Sequence, residues 1–211
     1  MDKVVYKLKD GTRVPGSTTI CKLLDKPYLV KWANNMGLKG INTDEYVEQT
    51  ARIGTLIHMM IYSHITKTEI ILDEYSDEEI IQAEKCLYKY LEWEKQHNIE
   101  LIFAETPLIS EKYKFVGIVD CYCILDGKYT IIDFKSSKQI SKDQILQVSS
   151  YIPLLEEYNY PVDQILLLTT GKDDCTPFEY NLINKYNTGD YFEIFKHLLD
   201  IYWLKKQMKW S

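Results

Sequence analysis

Two acids and a lysine are the residues of this sequence whose types and spacing best suit catalysis. Asp120 lies in the run FVGIVDCYCIL, and Asp133 and Lys135 lie in the run KYTIIDFK, with Asp126-Gly127 between the runs. Such a dipeptide between two strand-like runs predicts a hairpin with a two-residue turn, which fixes the register of the strands. In that register Asp120 faces Asp133, and Lys135 points to the same side.

The residues around these charges are apolar on both faces of the predicted hairpin. Ile118, Tyr122 and Ile131 would share the face of the acids, and Val119 and Cys121 would lie on the opposite face. Strands that are apolar on both faces are usually interior strands. Because buried carboxylates repel each other, they need a proton, a basic partner or a cation. The alternative is that these charges are solvated on an exposed face.

A hard divalent cation is the partner that two carboxylates with few other donors favour, which predicts Mg²⁺ or Mn²⁺. The backbone carbonyl of Phe134, between Asp133 and Lys135, would add a further oxygen. A bound metal lowers the pKa of a coordinated water, and Lys135 would orient the hydroxide or stabilise charge that develops on a phosphate. The group therefore predicts a site that hydrolyses a phosphodiester.

An earlier helix would bring a histidine to this site. The run NTDE at 42–45 supplies a capping residue and acids for a helix that we expect to end near Ser63. Gly54 inside that helix costs about 1 kcal/mol relative to alanine, and His58 lies one turn later on the same side. His58 would add a nitrogen ligand and favour Mn²⁺. The alternative is a hydrogen-bonded histidine of the core or surface.

A later helix would supply polar groups to the same site. The run SKDQ at 141–144 is a capping box, and the helix that it begins carries Gln147 and Tyr151 on one face. That face would contact substrate, or it would be a stripe exposed to solvent. A hydroxyl cluster at 17–19 would cap another helix, with a phosphate contact as the alternative.

Three further residues are candidates for substrate-binding or supporting roles. Glu105 is the one charged residue between Leu101 and Ile109 in a predicted strand, and it would be a rim residue or a further acid of the site. Ser136 follows Lys135 directly, and Arg52 precedes Gly54 by two positions.

Four short motifs, taken in order, resemble the PD-(D/E)XK nuclease superfamily and its RecB-type and lambda-type exonuclease branch, in the manner of a phage member. They are Gly54-x-x-x-His58, Gly117-Ile-Val-Asp120, Asp133-Phe-Lys135 and Gln147-x-x-x-Tyr151, and they span about half of the chain. Val119 stands where the motif has proline. The cysteine cluster of the iron–sulfur branch is absent, and Cys175 stands alone near the C-terminal end.

The resemblance implies a role for each matching residue. His58, Asp120 and Asp133 would be metal ligands, and Asp120 and Asp133 would form the catalytic group with Lys135. Gln147 and Tyr151 would support the site and contact the DNA backbone. The implied cofactor is Mg²⁺ or Mn²⁺, with no iron–sulfur cluster.

The resemblance also implies an α/β (α+β) fold, in which a central mixed β-sheet is flanked by helices as a restriction-endonuclease-like core. We expect one nuclease domain over 1–211: a mainly helical part at 1–98 that carries His58, the core sheet and helix at 99–185, and a C-terminal helix at 186–211. Single helices are expected at about 20–34, broken or kinked by Pro27, and after Ser141. Strands are expected at 164–169 and, at the sheet edge, at 178–183.

Composition excludes several classes of protein. The 211 residues include five cysteines without a CxxC motif, which disfavours a disulfide framework and a zinc or iron–sulfur cluster. The net charge of −6 does not favour a nucleic-acid binder, although local patches and a bound metal matter more than the total. Without a signal-peptide core or a membrane-length apolar run, we expect a cytoplasmic protein, in the host cytoplasm if phage-encoded.

The function that we expect is that of a Mg²⁺- or Mn²⁺-dependent DNA exonuclease in recombination, repair or DNA-end processing. Its partner would be DNA, as a linear duplex or a single strand. The alternatives are a structure-specific endonuclease on the same fold and a catalytically silent nucleic-acid-binding or assembly protein. A homo-oligomer and a recombination partner protein stay open, because this group includes ring-forming exonucleases.

Overall fold

A computed structural model describes residues 4–171 and 176–210 of the chain. These residues fold into a five-stranded β-sheet flanked by helices. The helices are α1 (Ser17–Cys21), α2 (Tyr28–Leu38), α3 (Thr43–Thr66), α4 (Asp77–Glu94), α5 (Lys142–Ser149), α6 (Tyr151–Glu157) and α7 (Gly189–Gln207). The strands are β1 (Ile99–Ser110), β2 (Phe115–Leu125), β3 (Lys128–Lys135), β4 (Gln164–Thr169) and β5 (Glu179–Asn184). This architecture confirms the predicted class and the mixed sheet.

The strands lie in the sheet in the order in which they occur along the chain. Neighbours are antiparallel except β3 and β4, which are parallel and are joined through α5 and α6. A parallel pair needs such a crossover connection, because the chain must return to the end of the sheet where the first strand began before the second strand can start. The predicted strand at 164–169 is confirmed, and β5 lies at the predicted edge.

The β2–β3 hairpin has the predicted two-residue turn. Leu125 pairs with Lys128, and Asp126 and Gly127 both have left-handed backbones, with φ of +49° and +81°. This turn type requires positive φ at both central residues, which Asp-Gly adopts readily. The Asp126 carboxylate also accepts a hydrogen bond from the backbone N–H of Asn98 at 2.8 Å. The register is therefore the predicted one.

Two of the predicted helices are each divided in two. The segment predicted at about 20–34 contains the end of α1 and the start of α2, and Pro27 precedes the first residue of α2. The helix that starts after Ser141 is interrupted at Ser150. Pro153 explains the second break, because it has no N–H to donate to Ser149 and its ring crowds that carbonyl.

Apolar clusters cover both faces of the sheet. On the first face, residues of α1, α5, α6 and α7 pack against the sheet; on the second face, residues of α3 and α4 do so. Tyr122, Ile131 and Leu167 belong to the first cluster, whereas Ile132 and Leu166 belong to the second. The central strands are thus buried on both sides, as their composition indicates. No helix of the described residues is long and apolar enough to cross a membrane.

The prediction that Val119 and Cys121 share a face is wrong. Val119 packs in the first cluster with Tyr122, whereas Cys121 and Cys123 pack in the second cluster. Regular alternation would place Val119 and Tyr122 on opposite faces. The alternation of β2 therefore reverses between Val119 and Tyr122, next to Asp120.

Candidate metal centre

The strands β2 and β3 separate at the point where the predicted acids lie. Their last paired residues are Cys121 and Ile132, next to Asp120 and Asp133. Instead of a backbone carbonyl, a carboxylate oxygen of Asp120 accepts the N–H of Phe134 at 3.0 Å. The side chain of Asp120 thus takes the place of a ladder hydrogen bond and holds the carboxylate at the opening between the strands.

A histidine and two carboxylates meet at this opening. His58 from α3, Glu105 from β1 and Asp120 from β2 each offer a ligand atom, and these atoms all lie within 4.8 Å of one another. The Nδ1 of His58 is 3.6 Å from Oδ2 of Asp120. One nitrogen and two carboxylate groups form a donor set that suits Mn²⁺ or Mg²⁺. The structure brings Glu105 into this group, which favours a further acid over a rim residue.

The side chain of Asp133 is buried, with 1% of its surface exposed, beside this group. The ammonium of Lys135 lies 2.6 Å from Oδ2 of Asp133. Apart from this ion pair, neither carboxylate oxygen has a hydrogen-bond partner among the described residues. A buried carboxylate whose one partner is an ammonium still has unused acceptor capacity, which a metal cation would fill. The ligand set of His58, Asp120 and Asp133 stays a prediction. The available carboxylate oxygens of Asp133 are consistent with it.

Burial and like charges shift the pKa values of the acids upward. Burial, followed by the charge of Asp133, raises the pKa of Asp120 well above its usual value and also raises that of Glu105. The charge of Lys135 opposes the shift of the Asp120 pKa but does not cancel it.

The two basic side chains respond differently. Burial lowers the pKa of His58, although Asp133 and the carbonyl of Phe134 oppose the effect, so the imidazole stays neutral and able to bind a metal. Burial alone would lower the pKa of Lys135, but the charges of Asp133 and Asp120 raise it overall. Lys135 is therefore a stable cation in the site.

A polar chain from α5 and α6 orients Lys135. The Nζ of Lys135 donates to Oε1 of Gln147 at 3.3 Å. The amide nitrogen of Gln147 donates to the hydroxyl of Tyr151 at 2.8 Å and to Oγ1 of Thr18 at 3.3 Å. Burial raises the pKa of Tyr151 well above its usual value, so the phenol stays neutral. The predicted polar face of this segment is directed at the site rather than at solvent.

Ser136 and Arg52 differ in where the structure places them. Ser136 lies against α3, where a Cβ on Gly54 would come within 2.7 Å of its Oγ. The guanidinium of Arg52 instead donates to Glu79 at 2.7 Å and covers the ring of Tyr75 at 4.5 Å. The described contacts of Arg52 therefore join α3 to α4 and do not include the metal centre.

Two cavities with largely different linings reach the cluster. One has a volume of about 510 Å³ and is lined by Ser136. The other has a volume of about 600 Å³ and is lined by Thr18, Asp120, Gln147 and Tyr151, among others. Both are also lined by His58 and Glu105.

Sequence reasoning missed the role of Thr18. A helix cap was the favoured interpretation of its hydroxyl cluster, but α1 has no side-chain cap and Thr18 contacts Gln147 instead. No local pattern indicates this contact, because it depends on how α1 packs beside α5. Cys175, which entered the argument against an iron–sulfur cluster, lies outside the described residues.

Comparisons with known proteins add little to this geometry. No protein-family model and no curated protein matches the chain. Among solved structures, the crystal structure of SSO0001 is similar over 71% of this chain and 74% of that chain, with 15% sequence identity and a TM-score of 0.31. A likeness this low supports no argument about function.

Proposed function

We propose that the protein is a Mg²⁺- or Mn²⁺-dependent DNA exonuclease that hydrolyses phosphodiester bonds in recombination, repair or DNA-end processing. The observation that carries this proposal is the buried carboxylate of Asp133, which has no partner among the described residues except the ammonium of Lys135, beside the group formed by His58, Glu105 and Asp120. Three acids against one ammonium and one neutral imidazole leave negative charge that a metal cation would balance. The ammonium of Lys135 would supply a fixed positive charge that binds a phosphate of the substrate.

Each residue of the site has a role in this proposal. His58, Asp120 and Asp133 would hold the metal, with Glu105 and the carbonyl of Phe134 as further oxygen donors. When bound, the metal would supply an acidified water and positive charge at the phosphate. Lys135 would bind a phosphate oxygen and stabilise the negative charge of the transition state.

The remaining groups position these residues. Gln147 would hold the ammonium of Lys135 in place, because its amide accepts from Lys135 and donates to Tyr151. Because the phenol of Tyr151 is neutral, it would add no negative charge to a site that already contains several acids. Ser136 would line the path of the substrate beside His58. We place this activity in the cytoplasm, where DNA is accessible.

A cleavage assay tests the proposal. The protein is incubated with Mg²⁺ or Mn²⁺ and with end-labelled linear, circular and single-stranded DNA. We expect progressive loss of linear DNA, no cutting of circles, and no activity in a chelator. The variant Lys135→Ala should lose about 100-fold or more in rate, as expected when a group that stabilises transition-state charge is removed.

The variant Lys128→Ala is the matched control, because Lys128 is an exposed lysine at the far end of the same strand. It should retain full activity. Cutting of circular DNA would instead support the structure-specific endonuclease. Binding of DNA without hydrolysis would support the silent binding protein, and metal-dependent cleavage of neither DNA nor RNA would refute both enzymes.

A further inference from the structure

A lysine-lined cavity lies between α7 and the turn that joins β1 to β2. Its volume is about 630 Å³. Lys112 and Lys114 line it from the turn, and Lys196 and Lys206 line it from α7. Asp200 is the one acidic residue among the described residues that line it. Four lysines against one acid stand out in a chain whose net charge is −6. We call this cavity the lysine pocket.

Most of these lysines have no carboxylate partner. Lys196 forms an ion pair with Glu193 at 2.6 Å. None of the ion pairs found among residues 4–171 and 176–210 involves Lys112, Lys114 or Lys206. The carboxylates of Glu157 and Asp10 interact electrostatically with Lys112 and Lys114 without a direct ion pair. The lysine pocket therefore offers positive charge that is only partly neutralised, which favours the binding of phosphates.

Aromatic rings accompany the charges. The ammonium of Lys206 lies 4.7 Å from the ring centroid of Trp203, and that of Lys112 lies 4.8 Å from the ring of Tyr113. Rings beside cations are typical of grooves that bind single-stranded nucleic acids, where bases stack on the rings and the cations follow the backbone. A pocket for a small inorganic anion would not need them.

The left-handed backbone of Lys114 closes the turn beside the lysine pocket. Its φ is +60°, and its N–H donates to the carbonyl of Ser110 at 2.9 Å. A residue in this conformation commonly completes a short hairpin loop. The turn thereby holds the exposed side chains of Lys112 and Lys114 at the pocket.

Some residues that line the lysine pocket contact residues that line the 600 Å³ cavity at the metal centre. Thr12 and Trp203 line the pocket, whereas Arg13 and Tyr202 line the 600 Å³ cavity that reaches Asp120. The rings of Tyr202 and Trp203 contact each other at 5.5 Å, and Lys206 donates to the carbonyl of Arg13 at 3.3 Å. The two cavities therefore approach each other beside Tyr202 and Trp203.

We propose that the lysine pocket binds the sugar–phosphate backbone of a nucleic-acid strand whose scissile phosphodiester lies at the metal centre. This inference rests on the proposed function and extends it, because it makes the substrate a polymer that occupies two sites at once. A dinucleotide or a short fragment would contact the metal centre alone. The pocket thus selects for length and not for base sequence, since neither contacts to phosphate nor stacking on rings reads the base edges.

Anisotropy of fluorescent single-stranded DNA in a chelator measures this binding without hydrolysis. One probe has roughly 16 nucleotides and one has about four, the limits of common site sizes. For the double variant Lys114→Ala and Lys206→Ala, we expect about tenfold weaker binding of the long probe and unchanged binding of the short one. The slope of log K against log salt should fall by about 1.4, since each phosphate contact contributes about 0.7.

The matched control is the double variant Lys39→Ala and Lys128→Ala, which removes the same charge from exposed positions outside the pocket. It should bind both probes as the unmodified protein does, and all variants should melt at the same temperature. Equal weakening in both double variants, or no weakening in the first, would overturn the inference. So would displacement of the long probe by inorganic tripolyphosphate at matched phosphate concentration, which would indicate a site for small polyphosphates.

Failure of this inference can be told apart from failure of the proposed function. Hydrolysis with Mn²⁺ is measured on the same long strand. If the unmodified protein cleaves the strand and the variant with Lys114→Ala and Lys206→Ala binds it as tightly as the unmodified protein, only the role of the lysine pocket is contradicted. Length-dependent binding through the pocket without any cleavage contradicts the exonuclease alone.

Discussion

Glu105 and Asp120 face each other between β1 and β2, and the alternation of side chains reverses in both strands at this pair. They lie between the paired residues Ala104–Cys121 and Thr106–Val119. Glu105 is left-handed, with φ of +46°, which is uncommon for a residue other than glycine. The reversal leaves both carboxylates within 4.8 Å of each other and of His58. Backbone strain thus accompanies the assembly of the ligand group.

Replacing Glu105 by glycine should separate stability from metal binding. Glycine adopts positive φ without steric cost, and the substitution removes one of the repelling acids, so Glu105→Gly should stabilise the metal-free protein by about 1 kcal/mol. Urea denaturation in a chelator measures this change. The same variant should lose most of its stabilisation by Mn²⁺. Glu105→Ala is the control, since it removes the charge but keeps the strain; if it stabilises as much as glycine, strain is not the cause.

The stabilisation by a divalent cation should depend on pH. The pKa values of Asp120 and Glu105 are raised by burial and by Asp133, so their ionised forms destabilise the metal-free fold as pH rises from the ordinary pKa through the raised one. Acidification restores that stability. A metal requires the ionised forms, so its binding releases protons.

The rise in melting temperature caused by Mn²⁺ should therefore be larger at about pH 8 than at about pH 6. Differential scanning fluorimetry at matched ionic strength checks this. Asp120→Asn keeps an oxygen that can accept from Phe134 but removes the charge, so it should reduce both the response to metal and its pH dependence. A response to Mn²⁺ that is the same at both pH values would contradict the assignment of these carboxylates as ligands.

The contact of α3 with Ser136 should make Gly54 intolerant of a side chain. Alanine favours a helix by about 1 kcal/mol over glycine, but here its Cβ would lie 2.7 Å from Oγ of Ser136. Gly54→Ala should therefore destabilise the protein and lower any cleavage rate, because His58 lies on the same side of α3. Gly37→Ala on α2 is the control, since nothing lies within 4 Å of its Cβ position.

A second substitution should rescue Gly54→Ala. Removing Oγ by Ser136→Ala leaves the Ser136 Cβ at 3.7 Å, which is an ordinary contact. The double variant should thus be more stable than the sum of the two single effects predicts. We expect the difference in the free energy of unfolding to be about 1 kcal/mol or more. Additive effects in denaturation experiments would show that the two side chains do not meet.

The described cysteines should resist alkylation in the folded protein. Cys21, Cys86, Cys121 and Cys123 are buried. Burial raises the pKa of Cys21 to about 12, so its thiol remains protonated and unreactive through the neutral range. In a Cys175→Ser variant, iodoacetamide at about pH 8 should label no site until denaturant is added. Mass spectrometry counts the adducts, and rapid labelling of Cys21 would show that α1 opens.

Local sequence patterns could predict the parts of the site that depend on near neighbours. The Asp126-Gly127 turn alone determines the register that brings Asp120 and Asp133 to the same end of the hairpin. The capping residues Asn42 and Ser141 mark where α3 and α5 begin, and both side chains form the expected capping bonds. These features were predictable because each involves residues within a few positions of one another.

The rest depends on contacts that no short pattern encodes. The left-handed backbone of Glu105 arises from its pairing with β2, and Thr18 meets Gln147 through the packing of two helices. Arg52 was a candidate because it lies near Gly54 in sequence, but its side chain binds Glu79. Nearness in sequence on a helix does not decide which side of the helix a residue occupies.

The candidate metal ligands come from separate segments of the chain, so the metal centre can form only when these segments meet during folding. The hairpin with Asp120 and Asp133 involves local pairing, but His58 arrives from α3 on the second face of the sheet. Distant contacts of this kind carry a high loop-closure cost and generally form late. A partly folded chain would then hold the acids without the imidazole. The complete donor set would therefore form only after α3 docks on the sheet.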